Sequence, residues 1–160
     1  LDEYLLFHYG SEDEIFQHAE IPYPAAMREA MGFTRRTVGY FGDYPVARGL
    51  DLGCAVGAST FAMADHCEQV TGIDYSHGFI RAAQHLQRGE TLEYRRHDEA
   101  DLYQTLTARA QGRIDRCQFE QGDAMNLRAD LAGFDRVHAA NLICRLPRPL
   151  ALIERLPSLV

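Results

Sequence analysis

The chain is 160 residues long, with 46% apolar and 24% charged side chains, the size and balance of a single compact domain with its own core. All 16 basic residues are arginines, which excludes chemistry that depends on a Schiff-base lysine or on the lysine of a phosphate-binding loop. With 23 acidic residues the net charge is −7, so no overall field favours a nucleic-acid backbone or an anionic membrane, and small molecules or proteins are the expected partners.

No apolar run approaches the roughly 18–20 residues of a membrane-spanning helix. Cys54, Cys67, Cys117 and Cys144 form no C-x-x-C pair and no His/Cys ligand cluster. That pattern points to a reducing compartment, with the cytoplasm as the expected location and no metal site. The chain opens at Leu1 and stops at Val160, directly after a helical pattern between Pro147 and Pro157, and is expected to be a piece of something longer.

Along the chain, Leu1, Tyr4, Leu5 and His8 have helical spacing, interrupted by Gly10-Ser11 before an acidic turn, Glu12-Asp13-Glu14. A second helix is expected from Pro24 to Phe41, with Pro24 in the first turn and Gly42-Asp43 as its stop. Residues 1–46 would form an N-terminal helical layer over a core spanning 47–160.

From Ala47 the rhythm becomes short apolar strands alternating with helices. Strands are expected at Ala47–Leu52, Gln69–Ile73, Arg116–Glu120 and Phe134–Ala140. Helices are expected at Ala58–His66, Phe79–Gln87 and Ala100–Ala110, with another after Pro149. Such alternation predicts an α/β fold whose mainly parallel sheet has helices on both faces. Thr91–Asp98 alternates like an additional short strand with no evident place in the sheet.

In a doubly wound sheet the ligand sits beyond the carboxyl ends of the strands. Strand one ends in Asp51-Leu52-Gly53-Cys54-Ala55-Val56-Gly57, a turn whose glycines permit positive φ or close approach of a ligand. A dinucleotide fingerprint G-x-G-x-x-G would need glycine where Ala55 and Ala58 stand. The missing second glycine argues against a nicotinamide or flavin cofactor and for an adenosine ligand without phosphates.

Strand two ends at Asp74, at the spacing from Asp51 that lets a carboxylate accept from ribose hydroxyls. Strand three ends in Gln121-Gly122-Asp123-Ala124, where Asp123 can accept from an adenine amine and the Ala124 amide can face a ring nitrogen. Strand four ends in Ala139-Ala140-Asn141-Leu142, able to line the place where cofactor and substrate meet. Asp51, Asp74 and Asp123 taken singly also suit helix caps. Their occurrence in order at successive strand ends favours a ligand site.

Together, Asp51 to Gly57, Gly72-Ile73-Asp74, Gly122-Asp123-Ala124 and Asn141 resemble the Rossmann-like class I S-adenosylmethionine-dependent methyltransferases. Tyr4-Leu5-Leu6-Phe7-His8-Tyr9-Gly10, Leu50 to Gly57, Gly72-Ile73-Asp74-Tyr75-Ser76-His77 and Ala139 to Pro147 are similar to the C-terminal methyltransferase domain of ovothiol-synthesising enzymes. The resemblance implies S-adenosylmethionine as cofactor and methyl transfer to an imidazole nitrogen of 4-mercaptohistidine. It also implies a partner or fused domain of the iron-dependent sulfoxide synthase type.

By that resemblance Asp51, Gly53, Cys54, Ala55 and Gly57 surround the methionine part of the cofactor. Asp74, with Tyr75 and Ser76, takes the ribose, Gly122, Asp123 and Ala124 take the adenine, and Asn141 lies near the sulfonium. The class has a seven-stranded sheet, so the chain is expected to end before strands five to seven, leaving strand four as an exposed edge.

A sulfonium methyl is already activated, so alignment is the main demand and no strong general base is required. Tyr4, His8 and Tyr9 are the candidates for closing over the pocket as a lid or contacting the amino-acid part of the substrate, Tyr9 beside Gly10 foremost, against a plainer reading in which Tyr4, Leu5 and His8 form one packed helix face. His77 and His138 read as structural, Cys54 as a loop residue lining the cofactor rather than a nucleophile, and Cys144 as packing. Competing readings are another small acceptor, a non-catalytic cofactor-binding module, and a nicotinamide-dependent oxidoreductase, the last disfavoured by the glycine spacing.

Overall fold

A computed structural model describes residues 1–16, 25–98 and 102–160. Four helices come first: α1 (Asp2–Tyr9), α2 (Glu12–Phe16), α3 (Ala25–Ala30) and α4 (Phe33–Gly39). The α/β core follows as β1 (Val46–Leu52), α5 (Ala58–Met63), β2 (Cys67–Asp74) and α6 (His77–Gln87). It continues through β3 (Leu92–His97), β4 (Tyr103–Ala108), β5 (Cys117–Gln121), β6 (Arg136–His138) and α7 (Pro149–Arg155).

The main sheet is parallel, in the order β5-β2-β1-β6, with Asp51 of β1 beside Gly72 of β2 and His138 of β6. It is the α/β, mainly parallel, Rossmann-like arrangement expected for a class I methyltransferase. Alternation along β1 sorts the core into two layers. Leu50 and Leu52 point into a cluster with Ile73, Phe134, Leu131, Leu152 of α7 and Leu159. On the opposite face Val70, Phe61, Met63, Ile80, Leu86 and Phe119 join Leu5 of α1 and Val38 of α4. β6 is an edge of the sheet, bonded only to β1 among the described strands.

Four elements differ from the sequence expectation. Glu12–Phe16 is a helix rather than an acidic turn, because Ser11 and Glu14 form a capping box. The Ser11 hydroxyl accepts from the Glu14 amide at 3.2 Å, and the Glu14 carboxylate accepts from the Ser11 amide at 2.7 Å. The helix expected from Pro24 to Phe41 is two helices, parted at Gly32, whose φ of 63° leaves the helical region. Pro24 itself lies outside the described residues.

The third difference is the helix expected at Ala100–Ala110, where Ala100 and Asp101 lie outside the described residues and Tyr103–Ala108 is strand β4. β4 pairs antiparallel with β3, placing Tyr94 opposite Leu106 and Leu92 opposite Ala108. Leu106 and Ala108 are buried while Thr105 and Thr107 alternate with them and are exposed, so a period of two prevails over helix propensity. This hairpin stands apart from the main sheet and packs on α1 and α6, which also settles where the extra strand at Thr91–Asp98 belongs. β6 is shorter than the expected Phe134–Ala140, because Phe134 and Asp135 spend their amides on the carbonyls of Leu159 and Arg48.

Candidate functional site: a cavity at the strand ends

Beyond the carboxyl ends of the four parallel strands lies a cavity of about 540 Å³, within the usual range for sites that bury a small ligand. Its floor is the turn after β1. Gly53 and Gly57 have φ of 71° and 92°, and a Cβ on Gly53 would come within 2.9 Å of the Leu142 side chain. Ala55 also has positive φ, 47°, a conformation costing a non-glycine residue roughly 1–3 kcal/mol. Three bonds hold it there: the Ala55 amide donates to Asp74 Oδ2 at 2.9 Å, and the Gly53 and Cys54 amides donate to the Ile73 carbonyl.

Asp74 thus clasps the turn while its Oδ1 accepts from the Ser76 amide at 2.8 Å. Each of its oxygens keeps acceptor capacity, and the carboxylate lines the cavity, which suits a pair of hydroxyl donors. Asp123 spends Oδ1 on the Met125 amide at 2.8 Å, and its Oδ2 has no partner among the described residues. Gly122, Ala124 and the exposed ring of Tyr75 line the same end. Asn141 has φ of 53° and lines the cavity at the end of β6, where the Cys144 thiol donates to its side-chain oxygen.

The roof is helical. Tyr4, Phe7 and His8 of α1 and Phe33, Thr34 and Thr37 of α4 face the strand ends. Ring centroids lie 4.5 Å apart for Tyr4 and Phe79, 6.0 Å for Tyr4 and His8, and 6.3 Å for Phe7 and Phe33. Burial pushes His8 down to about 4, against the opposing charge of Asp51, so the ring is neutral at physiological pH. Its Nδ1 is enclosed without a hydrogen-bond partner among the described residues.

Between floor and roof runs a hydrogen-bonded chain. Asp51, 1% exposed, accepts at Oδ2 from the hydroxyls of Ser59 (2.6 Å) and Thr60 (2.7 Å). Its Oδ1 lies 2.7 Å from His138 Nδ1, and His138 Nε2 lies 2.9 Å from the Thr37 hydroxyl of α4. Asp51, Ser59, Thr37 and His138 all border the cavity.

The geometry brings Asp51, Gly53, Ala55, Asp74, Tyr75, Gly122, Asp123, Ala124 and Asn141 to the cavity wall. Four other assignments change. The Tyr9 hydroxyl donates to the Val56 carbonyl at 2.8 Å; Tyr9 braces the turn from behind rather than lining the cavity, and burial raises its phenol above the ordinary range. Cys54 is fully buried in the core, and burial, then the charges of Asp51 and Asp74, push its thiol well above its usual value, which keeps it a thiol. Gly57 starts α5, packed where a Cβ would meet Phe119, and Ser76 caps α6 by accepting from the Phe79 amide.

His138 is a cavity residue that sequence reasoning set aside as structural, whereas Tyr4 and His8, expected either as lid residues or as a packed helix face, do border the cavity. Only the Asp51 pairing, across 87 residues, reveals His138.

Four carboxylates, Glu3, Asp51, Asp74 and Asp123, border the cavity against one cation, Arg145. That balance disfavours a pyrophosphate and favours a ligand carrying positive charge. An acceptor for a diol at the end of β2, another for an amine at the end of β5 and an acidic wall together suit S-adenosylmethionine. Fold and site therefore define the class I methyltransferase fold, with a cavity suited to S-adenosylmethionine.

A family model described as a methyltransferase domain matches residues 50–157, and the chain belongs to that family. Among curated proteins no sequence matches significantly. Among solved structures the chain is similar to the YcgJ protein of Bacillus subtilis, at 14% identity and a TM-score of 0.57, covering 78% of this chain and 46% of that one. It is also similar to phosphoethanolamine N-methyltransferase 1 of Haemonchus contortus, solved with phosphoethanolamine and S-adenosylhomocysteine, at 17% identity and a TM-score of 0.57, covering 82% and 23%. A third similar structure is the [4+2]-cyclase SpnF, at 21% identity and a TM-score of 0.59, covering 88% and 45%. The chain spans less than half the length of each of these three.

Among the described residues no helix is long and apolar enough to cross a membrane, and no group of three or more His, Cys, Asp or Glu is placed to hold a metal ion.

Proposed function

We propose that the chain transfers the methyl group of S-adenosylmethionine to an imidazole nitrogen of 4-mercaptohistidine, the step that completes ovothiol. The observation that carries this reading is the roof. The segment Tyr4 to Gly10, which resembles the ovothiol-synthesising family, folds as the helix that sets Tyr4, Phe7 and His8 over the strand ends. Flat aromatic walls suit a planar ring acceptor.

S-adenosylmethionine supplies an electrophilic methyl on a sulfonium when bound. Asp74 accepts from the ribose hydroxyls, Asp123 with Gly122 and Ala124 holds the adenine, and Gly53, Ala55 and Asn141 face the methionine and sulfonium end. Residues 1–46 act as the lid segment and 47–160 as the cofactor-binding core. The enzyme works with an iron-dependent sulfoxide synthase, fused or separate, that supplies the sulfur-bearing histidine.

Incubation with S-adenosylmethionine and 4-mercaptohistidine, followed by mass spectrometry, tests the reading. The expected product is heavier by one methyl on a ring nitrogen. Transfer to a different small acceptor with none to mercaptohistidine would replace the substrate, and no transfer to any acceptor at saturating cofactor would favour a cofactor-binding module.

A further inference from the structure

We propose that His138, oriented by Asp51, receives the proton that the methyl acceptor gives up. The inference rests on methyl transfer taking place in this cavity and adds a catalytic residue to it. His138 is 7% exposed, and it borders the cavity. Its Nδ1 faces a carboxylate oxygen 2.7 Å away, which fixes Nδ1 as the protonated nitrogen and leaves Nε2 as the acceptor of the neutral ring. Nε2 is met by the Thr37 hydroxyl at 2.9 Å.

The Thr37 hydroxyl has other partners: the carbonyls of Phe33 at 3.0 Å and Thr34 at 3.2 Å within its own helix. A single hydroxyl proton serves one acceptor well at a time. When an N–H arrives at Nε2, Thr37 turns its proton to the Phe33 carbonyl and no group is left unpaired. Thr37 therefore acts as a placeholder, and releasing His138 costs little. Asp51 is itself anchored by Ser59 and Thr60, so it holds the imidazole orientation and offsets the positive charge that His138 acquires. His8 cannot fill the role as well, because burial holds it near 4 and no carboxylate among the described residues is hydrogen-bonded to it.

The step balances. The acceptor nitrogen's lone pair forms the new bond to the methyl carbon while the carbon–sulfur electron pair stays on sulfur. The positive charge that develops on the acceptor ring is relieved when its remaining N–H proton passes to His138 Nε2, giving an imidazolium paired with the Asp51 carboxylate. Solvent takes the proton after product leaves.

Two measurements on the full chain test this. The first follows the ¹⁵N resonances of the His138 ring in the presence of S-adenosylhomocysteine as 4-mercaptohistidine is added, and needs no turnover. Nε2 is expected to shift, and a silent Nε2 overturns the inference. A responding ring in a protein that transfers no methyl to this acceptor supports the contact and overturns the acceptor proposed above.

The second compares His138→Asn, whose amide can still donate to Asp51, and His138→Gly with added imidazole. Turnover is expected to fall about 10²–10⁴-fold with cofactor Kd held within about two-fold, and imidazole is expected to restore part of the rate in His138→Gly. Unchanged turnover, or a loss that follows cofactor affinity and that imidazole does not rescue, would make His138 a structural post and refute the proposal.

Discussion

The two histidines bordering the cavity are held in opposite ways. His8, in the roof, sits among Tyr4, Phe7 and Tyr9 with no hydrogen bond on its buried Nδ1 among the described residues, and burial keeps it neutral. His138, on the floor, has a partner on each nitrogen, one of them the carboxylate of Asp51. The same side chain is thus a hydrophobic plate in one wall and a polar joint in the other. What decides between them is a carboxylate within hydrogen-bond reach, not depth of burial.

Removing that carboxylate is the strongest way to erase the contrast. Asp51→Ala strands the hydroxyls of Ser59 and Thr60 and the His138 ring in a buried pocket, and is expected to cost about 3–5 kcal/mol in urea-induced unfolding. A loss under 1 kcal/mol would mean that water reaches the group and the joint is weak.

The roof histidine answers to pH. Because the folded ring titrates near 4 and an unfolded one near 6.5, the unfolded state binds more protons between these values. Stability that is present above about 6.5 is therefore lost as the pH falls toward 4, by up to about 3 kcal/mol. His8→Phe should flatten the dependence measured by denaturant melts between those two values, and an unaltered slope would show that His8 protonates freely in place.

On the floor, Asp74→Ala removes the proposed ribose acceptor and also frees the Ala55 and Ser76 amides. S-adenosylmethionine binding should weaken by about 1.5–3 kcal/mol, read by calorimetry. Equal affinity would leave Asp74 as a clasp on the turn and nothing more. The smallest effect is expected at Tyr9→Phe, which loses one bond to the Val56 carbonyl, about 1 kcal/mol of stability, and leaves turnover intact. A selective fall in turnover would return Tyr9 to the substrate side.

The floor was far easier to read from the sequence than the roof, for a physical reason. A strand, a tight turn and a helix start are local, so Gly53, Asp74 and Asp123 announce themselves by residue type and spacing. Roof contacts are not local. The Tyr9 hydroxyl meets a carbonyl 47 residues on, and His138 meets Thr37 across 101 residues. Neither leaves a trace in periodicity.

The hairpin failed for another reason. Leu102 to Ala110 contains leucine and alanine, which favour helix, and only the alternation of buried Leu106 and Ala108 with exposed threonines shows a strand. The capping box at Ser11 and Glu14 was visible as S-x-x-E, but three adjacent acids read as a turn.

The β3–β4 hairpin lies against α1, and its Arg96 bonds the Glu14 carbonyl of α2 and the Gln104 side chain. None of its described residues borders the cavity. Natural variation in the hairpin can therefore reposition Tyr4, Phe7 and His8 while the proposed cofactor residues at the strand ends stay as they are. The fold keeps the part open to evolutionary change in acceptor choice separate from the part that must be inherited intact.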